Sequence, residues 1–324
     1  MTRTLRRHGW VLGLALLLVA LLLLTKLIQP SFGASGLESL ARAALPFAFA
    51  AAAMAVVVIA GGIDLSVASM MAVAGVTAAR LMEGIEGAAA LPMVVLVLLI
   101  GAAMGMVNGL VIVWTRLPDI VVTLAMLFVW EGTALLILNA PGGAATPWLR
   151  QTILGPLVLP GLPEAATALV PRSLVVLAVI LALIWLPLRR SKLGLSIYAL
   201  GSDATAAFRS GVAIGRTRVA AYVIAGVLAA FGGLALTLST GNGEPIPGPY
   251  LLAAVAAVVL GGVALTGGKG GLLGPILAVF ILRALRLILT LLSVDPNVTT
   301  IIEGLILALI VMMGGLLAMR ERPA

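Results

Sequence analysis

Four polar side chains stand inside long apolar stretches of this chain, where polar groups are scarce: Asp64, Ser66, Asn108 and Thr123. Asp64 lies in AGGIDLSVAS. An unpaired carboxylate at a bilayer centre costs about 2.5 to 3.5 kcal/mol on insertion scales, so such a residue needs a reason to be there. Gly61 and Gly62 just before it can break a helix, and Asp64 or Ser66 can then cap the half-helix that follows. The cap is the first expectation; the other reading is that Asp64 lines a solute path. Asn108 in GMVNGLVIVW, and Thr123 and Glu131 in LPDIVVTLAMLFVWEGT, carry the same ambiguity. They either hydrogen-bond between helices or exchange hydrogen bonds with a hydroxylated solute. Arg283 and Arg286 are three apart and share a helix face, with Glu303 on the next segment as their partner. An ion pair joining helices is expected there; lining arginines would instead favour anionic solutes.

Other chemistry is excluded by what is missing. There is no Cys, hence no thiol nucleophile, disulfide framework or Cys-ligated metal, and the single His8 sits in a basic N-terminal tail. A His-based metal site or triad has no material, and no acid pair has convincing spacing for an enzyme. Residues 262 to 270, GVALTGGKG, imitate a nucleotide-binding loop, but Val263 stands where the first Gly belongs and Gly270 where Ser or Thr would bind Mg²⁺. No ATP site and no cofactor is expected in this chain.

The elements that must position these residues are membrane helices. Of 324 residues, 62% are hydrophobic and 10% charged, against about 25% charged in an ordinary soluble domain. About ten stretches read as spanning, some short or Gly-interrupted: 8–29, 43–61, 65–81, 91–114, 118–138, 172–188, 217–239, 250–265, 271–293 and 297–318. They leave no room for a soluble domain, so residues 1–324 are expected to form one all-α transmembrane domain. The first stretch is read as a retained helix rather than a signal peptide, being long and without an A-x-A site. The net charge of +8 is not a nucleic-acid signal, because the basic residues sit between apolar runs. With the N-terminus cytoplasmic, inner loops hold 13 of the 20 basic residues, including Arg116, Arg189, Arg190, Lys192 and Lys269. The positive-inside rule then places both termini in the cytoplasm. Two connections stand out: an external loop at 139–171, offering a surface to an external partner, and a polar internal loop at 189–216. Residues 58–66, VIAGGIDLS, are echoed by 258–266, VVLGGVALT, at an offset of 200. Paired Gly-interrupted segments point to broken helices around a transport site.

These motifs resemble the membrane permeases of ribose-type sugar ABC importers, from about residue 45 to 318. AGGIDLSVASMMAVAG is similar to that family's GGIDLS signature, and MVNGLVIVWTRLPDIVVTLAML to its N-G and I-P-x-I-x-T-L-G-T segment. The long polar match LGLSIYALGSDATAAFRSGVAIGRTRVAAYVIAGVLAAFGG, 193–233, resembles the loop that meets the ATPase, and AAVAAVVLGGVALTGGKGGLLGP a further conserved region. Asp119 stands where Phe is common, Asp203 where Asn is, Ala264 interrupts the usual T-S-L, and Arg283 and Arg286 fall in a stretch expected to be uncharged. The resemblance implies a multi-pass protein of the bacterial inner membrane, pairing with a second permease of the same or a related chain. It further implies a periplasmic or extracellular substrate-binding protein and ATP-binding cassette subunits that hydrolyse ATP. Residues 202–211 are then a short coupling helix: Asp203 caps it, Ala206 and Ala207 allow close approach, and Arg209 touches the ATPase, with Gly201, Ser210 and Gly211 flanking. The translocation path is assigned to Asp64, Ser66, Asn108 and Thr123. The alternative is an ion-coupled secondary transporter with Asp64 or Glu131 as its coupling carboxylate.

Overall fold

A computed structural model describes residues 2–157, 167, 169–246 and 248–320. Thirteen α-helices are described: α1 (Thr2–Ile28), α2 (Ala34–Ile59), α3 (Val67–Met82), α4 (Leu91–Thr115), α5 (Asp119–Ile137), α6 (Pro147–Leu154), α7 (Arg172–Arg190), α8 (Lys192–Ser202), α9 (Ala204–Arg209), α10 (Ile214–Thr240), α11 (Tyr250–Leu260), α12 (Leu273–Leu291) and α13 (Pro296–Arg320). No strand occurs among the described residues beyond an isolated bridge between Gly142 and Gly243. Seven helical stretches there are long and apolar enough to cross a membrane: the apolar part of α1, α2, α4 with the 3-10 turn before it, α5, α7, α10 and α12. The chain is therefore a multi-pass membrane protein.

Helix α2 lies at the centre because it is apolar on every face; Ala48 to Ile59 are all buried, and a helix hydrophobic all round belongs inside. Helix α10 packs on α2, α3 and α4. Its seam with α4 runs along Gly101, Gly105 and Gly109, where side chains are absent so that backbones can meet. A Cβ on Gly105 would fall 2.1 Å from the Tyr222 carbonyl oxygen. On the periphery, α1, α5 and α7 show large exposed apolar residues such as Leu27, Phe128 and Leu183, the surface a lipid solvent requires.

One span and one loop read from the sequence need correction. Residues 250–265 are not one helix: α11 stops at Leu260 after 11 residues, about 16 Å at the α-helical rise and half a bilayer core. Its first residue, Tyr250, packs its ring tilted against Phe47 with centroids 4.4 Å apart, and Phe47 lies midway along α2. Gly243 pairs instead with Gly142, beside α3 and α6. The chain therefore passes from that end of the bundle to its middle before α11 begins, and the described residues of 244–249 are not helical. The internal loop at 189–216 is largely helical too. Ser191 accepts a bond from Gly194 N at 3.1 Å to start α8, and α9 and α10 follow.

The internal echo is real, but its register is 201, not 200. Gly61 donates to Val58 O and Gly62 to Val57 O, closing α2; Gly262 donates to Val259 O and Val263 to Val258 O, closing α11 in the same way. The left-handed residue is Gly61 (φ 84°) in one and Gly262 (φ 77°) in the other. This is the Schellman ending, in which a glycine tolerates the positive φ and the last carbonyls are satisfied. The Gly-Gly letters align at 200, yet the first glycine of the first pair, Gly61, is equivalent to the second of the other, Gly262.

Of the external loop expected at 139–171, residues 147–154 form α6, held by Arg172 on Gln151 O and Thr152 O and by Arg42 on Leu154 O. The LPGLPEAA part of that expectation, 159–166, lies outside the described residues.

Candidate functional site

The break between α2 and α3 gathers all four polar residues singled out as path-lining into one cluster. Ser66 donates twice to Asp64 Oδ1, from its N–H at 2.9 Å and its hydroxyl at 2.6 Å. Asn108 on α4 donates through Nδ2 to Ser66 Oγ at 2.7 Å, and Trp130 on α5 donates through Nε1 to Asn108 Oδ1 at 3.1 Å. The result is a relay of donors, Trp130 to Asn108 to Ser66 to Asp64, that ends on a carboxylate. Beside it, Thr123 accepts from Leu65 N at 3.1 Å and donates to the Asp119 carbonyl at 2.8 Å. Asp64, Ser66, Asn108 and Thr123 are all fully buried. In this conformation the cluster is closed packing between α3, α4 and α5, and a path through it requires those helices to part.

The geometry refines the cap reading. Ser66 occupies the position before α3 but makes no side-chain cap bond there. Asp64 instead forms a local turn by accepting from the N–H two residues on, which directs the chain into α3. Its other oxygen, Oδ2, is buried without a hydrogen bond among the described residues. Nor does Asp64 sit at mid-depth. Helix α2 has 26 residues, about 39 Å of helix against a hydrocarbon core of about 30 Å, so the break after Ile59 falls where a crossing ends.

That end of the bundle carries further groups that sequence reasoning left out. Tyr222 on α10 donates to Asp119 Oδ2 at 3.0 Å, and Arg218 lies 3.7 Å from Asp119 Oδ1. Asp119, noted only as a departure from the family pattern, is thus the acid of a small network packed against Gly62. Glu131, by contrast, makes no hydrogen bond or ion pair among the described residues, although it follows Trp130 in the chain.

A glycine junction ties the break to α8. Gly201 in the last turn of α8 approaches so closely that a Cβ would lie 1.9 Å from the Ile59 carbonyl oxygen. That oxygen accepts a bond from Gly268 N at 2.9 Å, and Gly267 packs on Gly61 and Gly201. The stretch that imitates a nucleotide loop is therefore an interhelical joint.

Helix α9 follows immediately. Asp203 Oδ1 accepts from Thr205 N at 2.8 Å and Ala206 N at 2.9 Å, the expected cap. The six residues end at Gly211, whose φ of 83° closes another glycine stop. Ala206, Arg209, Ser210 and Gly211 are exposed, as the coupling reading requires, but Ala207 is buried and supports the helix rather than offering a contact. The missed residue is Phe208, 71% exposed on the same helix. A large apolar side chain alone in the polar run DATAAFRSG was its signal.

A separate cluster lies halfway along the bundle. Glu303 on α13 pairs with Arg286 at 3.2 Å and with Arg283 at 3.7 Å, the expected partnership, while the Arg283 guanidinium covers the Phe47 ring at 4.1 Å.

Residues 36–311 match the family described as branched-chain amino acid transport system / permease component. The chain is 31% identical over 301 residues to the ribose import permease protein RbsC of Escherichia coli K12, covering 93% of this chain and 92% of that one. It is 29% identical over 327 residues to the autoinducer 2 import system permease protein LsrD of Yersinia pestis, covering 94% and 91%. No solved structure matches. The resemblance read from the motifs is borne out across nearly the whole chain.

Proposed function

The chain belongs to the family described as branched-chain amino acid transport system / permease component, and from that premise we propose that it is the membrane-spanning subunit of an ABC importer for a sugar. As a permease component it is a transporter subunit and not an enzyme. In this reading residues 1–324 act as one permease domain in a bacterial inner membrane, with both termini in the cytoplasm. It pairs with a second permease, receives its solute from an external binding protein, and is driven by ATPase subunits on separate chains. The path opens beside Asp64, Ser66, Asn108 and Thr123 when α3, α4 and α5 part.

The observation that carries this reading is the geometry of α9. It is a six-residue helix with its own cap and its own stop, and it presents Phe208 at 71% exposure next to Arg209. A short rigid helix with an apolar anchor and a cation suits insertion into a cleft of a soluble partner, the buried-anchor pattern of interface hot spots. Phe208→Asp tests it. The variant inserts into the membrane as wild type does, because Phe208 is largely exposed, but solute uptake and stimulation of ATP hydrolysis are lost. Undiminished uptake would overturn the coupling assignment. Uptake that survives ATP depletion and collapses with an uncoupler would replace the whole reading with an ion-coupled transporter.

A further inference from the structure

The cluster at mid-depth borders a cavity of about 170 Å³ lined by Phe47, Pro249, Arg283, Thr300 and Glu303 among apolar neighbours. It is smaller than the roughly 300 to 1,000 Å³ usual for drug-sized ligands. Three features specify an occupant. First, two arginines face one carboxylate, so the cluster keeps one positive charge in excess, and Arg283, at 14% exposure, is the more buried of the two. Second, the Arg283–Glu303 approach is 3.7 Å, beyond hydrogen-bond length, and Arg283 makes no hydrogen bond among the described residues. Glu303 Oε1, the atom facing it, is buried and likewise unbonded. An unused donor fork and an unused acceptor thus stand side by side, a pairing met by a ligand that accepts at one group and donates from its neighbour. Third, Phe47, whose ring carries the Arg283 guanidinium at 4.1 Å, and Pro249 give the cavity an apolar wall beside the charges, against which the C–H groups of a cyclic or extended polyol can lie.

We propose that this cavity is a recognition site for a small polyhydroxylated monoanion, a sugar acid, whose carboxylate is held by Arg283 and whose adjacent hydroxyl donates to Glu303. This rests on the importer reading and narrows its substrate class. Arg286, already bonded to Glu303 at 3.2 Å, holds that carboxylate in place. Lipid headgroups carry similar chemistry, but the site lies midway along α2, far from where a headgroup sits.

The test uses the full chain in nanodiscs of neutral phosphatidylcholine, with D-gluconate and D-galacturonate as probes and D-ribose and acetate as controls. Binding is read by thermal stabilisation and equilibrium dialysis at millimolar concentrations. Both sugar acids are expected to bind, acetate and ribose to bind more weakly. Arg283→Gln should lower sugar-acid affinity about tenfold or more, the loss expected for one charge-assisted hydrogen bond. It leaves the Arg286–Glu303 pair neutral and intact, so the variant should stay folded and monodisperse. Arg286→Gln serves as the second variant, with a smaller loss. Equal binding of ribose and sugar acids, unchanged affinity in Arg283→Gln, or no binding of any sugar acid would each overturn the proposal. Because no ATPase is present in the assay, those failures leave the importer reading standing, whereas ATP-independent uptake would remove that reading alone.

Discussion

Replacing Asp64 by Asn keeps the oxygen that accepts from Ser66 N and Oγ, whereas replacing it by Ala strands both of those buried donors. Each unsatisfied buried group costs about 1–3 kcal/mol. Asp64→Ala should therefore lower the melting temperature in detergent clearly, and Asp64→Asn much less. Transport that survives in Asp64→Asn marks the residue as the pivot of a turn; loss of transport in a folded Asp64→Asn variant marks the charge as functional. What could be read from sequence at this scale followed a simple division. Asp203 as a cap and Gly61 as a break are local events, decided within three or four residues, and both were legible. Trp130 on Asn108 and Tyr222 on Asp119 join groups 22 and 103 residues apart. They depend on how far each helix is rotated about its axis, which helices apolar on nearly every face, such as α4 and α5, do not encode in their patterns.

At the scale of elements, the sharpest demand falls on Gly201. A single methyl there meets the Ile59 carbonyl oxygen and Gly268 N, neither of which can move without opening α2 or the loop before α12. Gly201→Ala should destabilise the chain and cut uptake together. Gly132→Ala on α5 is the control, since nothing lies within 4 Å of its added carbon, and removing a helical glycine is worth up to about 1 kcal/mol. Melting curves of the two variants check the contrast. The two elements misread from sequence, α11 as a full span and α8 as loop, have one cause. An apolar run with a Gly-Gly pair reads alike whether it crosses the membrane or starts halfway, and a stretch with Gly194, Ser191 and Ser202 reads as a loop until its cap is seen. The 58–66 echo was legible as letters but shifted by one residue, because letters do not report which glycine takes the positive φ.

For the whole molecule, the distribution of apolar surface sets the solvent. Trp114 and Leu136 are 86% and 89% exposed on helices otherwise long enough to cross a bilayer. The folded chain should partition into detergent, and recovery of folded protein from buffer alone would contradict the membrane assignment. The glycine junction takes on a further meaning at this scale. Between α9 and the start of α3, the contacts at Gly201, Gly61 and Gly267 are backbone on backbone. Side chains are the compressible part of a protein joint, since they can change rotamer and take up a small displacement. A joint without them has almost no slack. In the proposed coupling, a push delivered at Phe208 would then reach the Asp64 turn as through a short stiff lever, whereas a substitution that puts even one methyl into the joint would wedge its two sides apart.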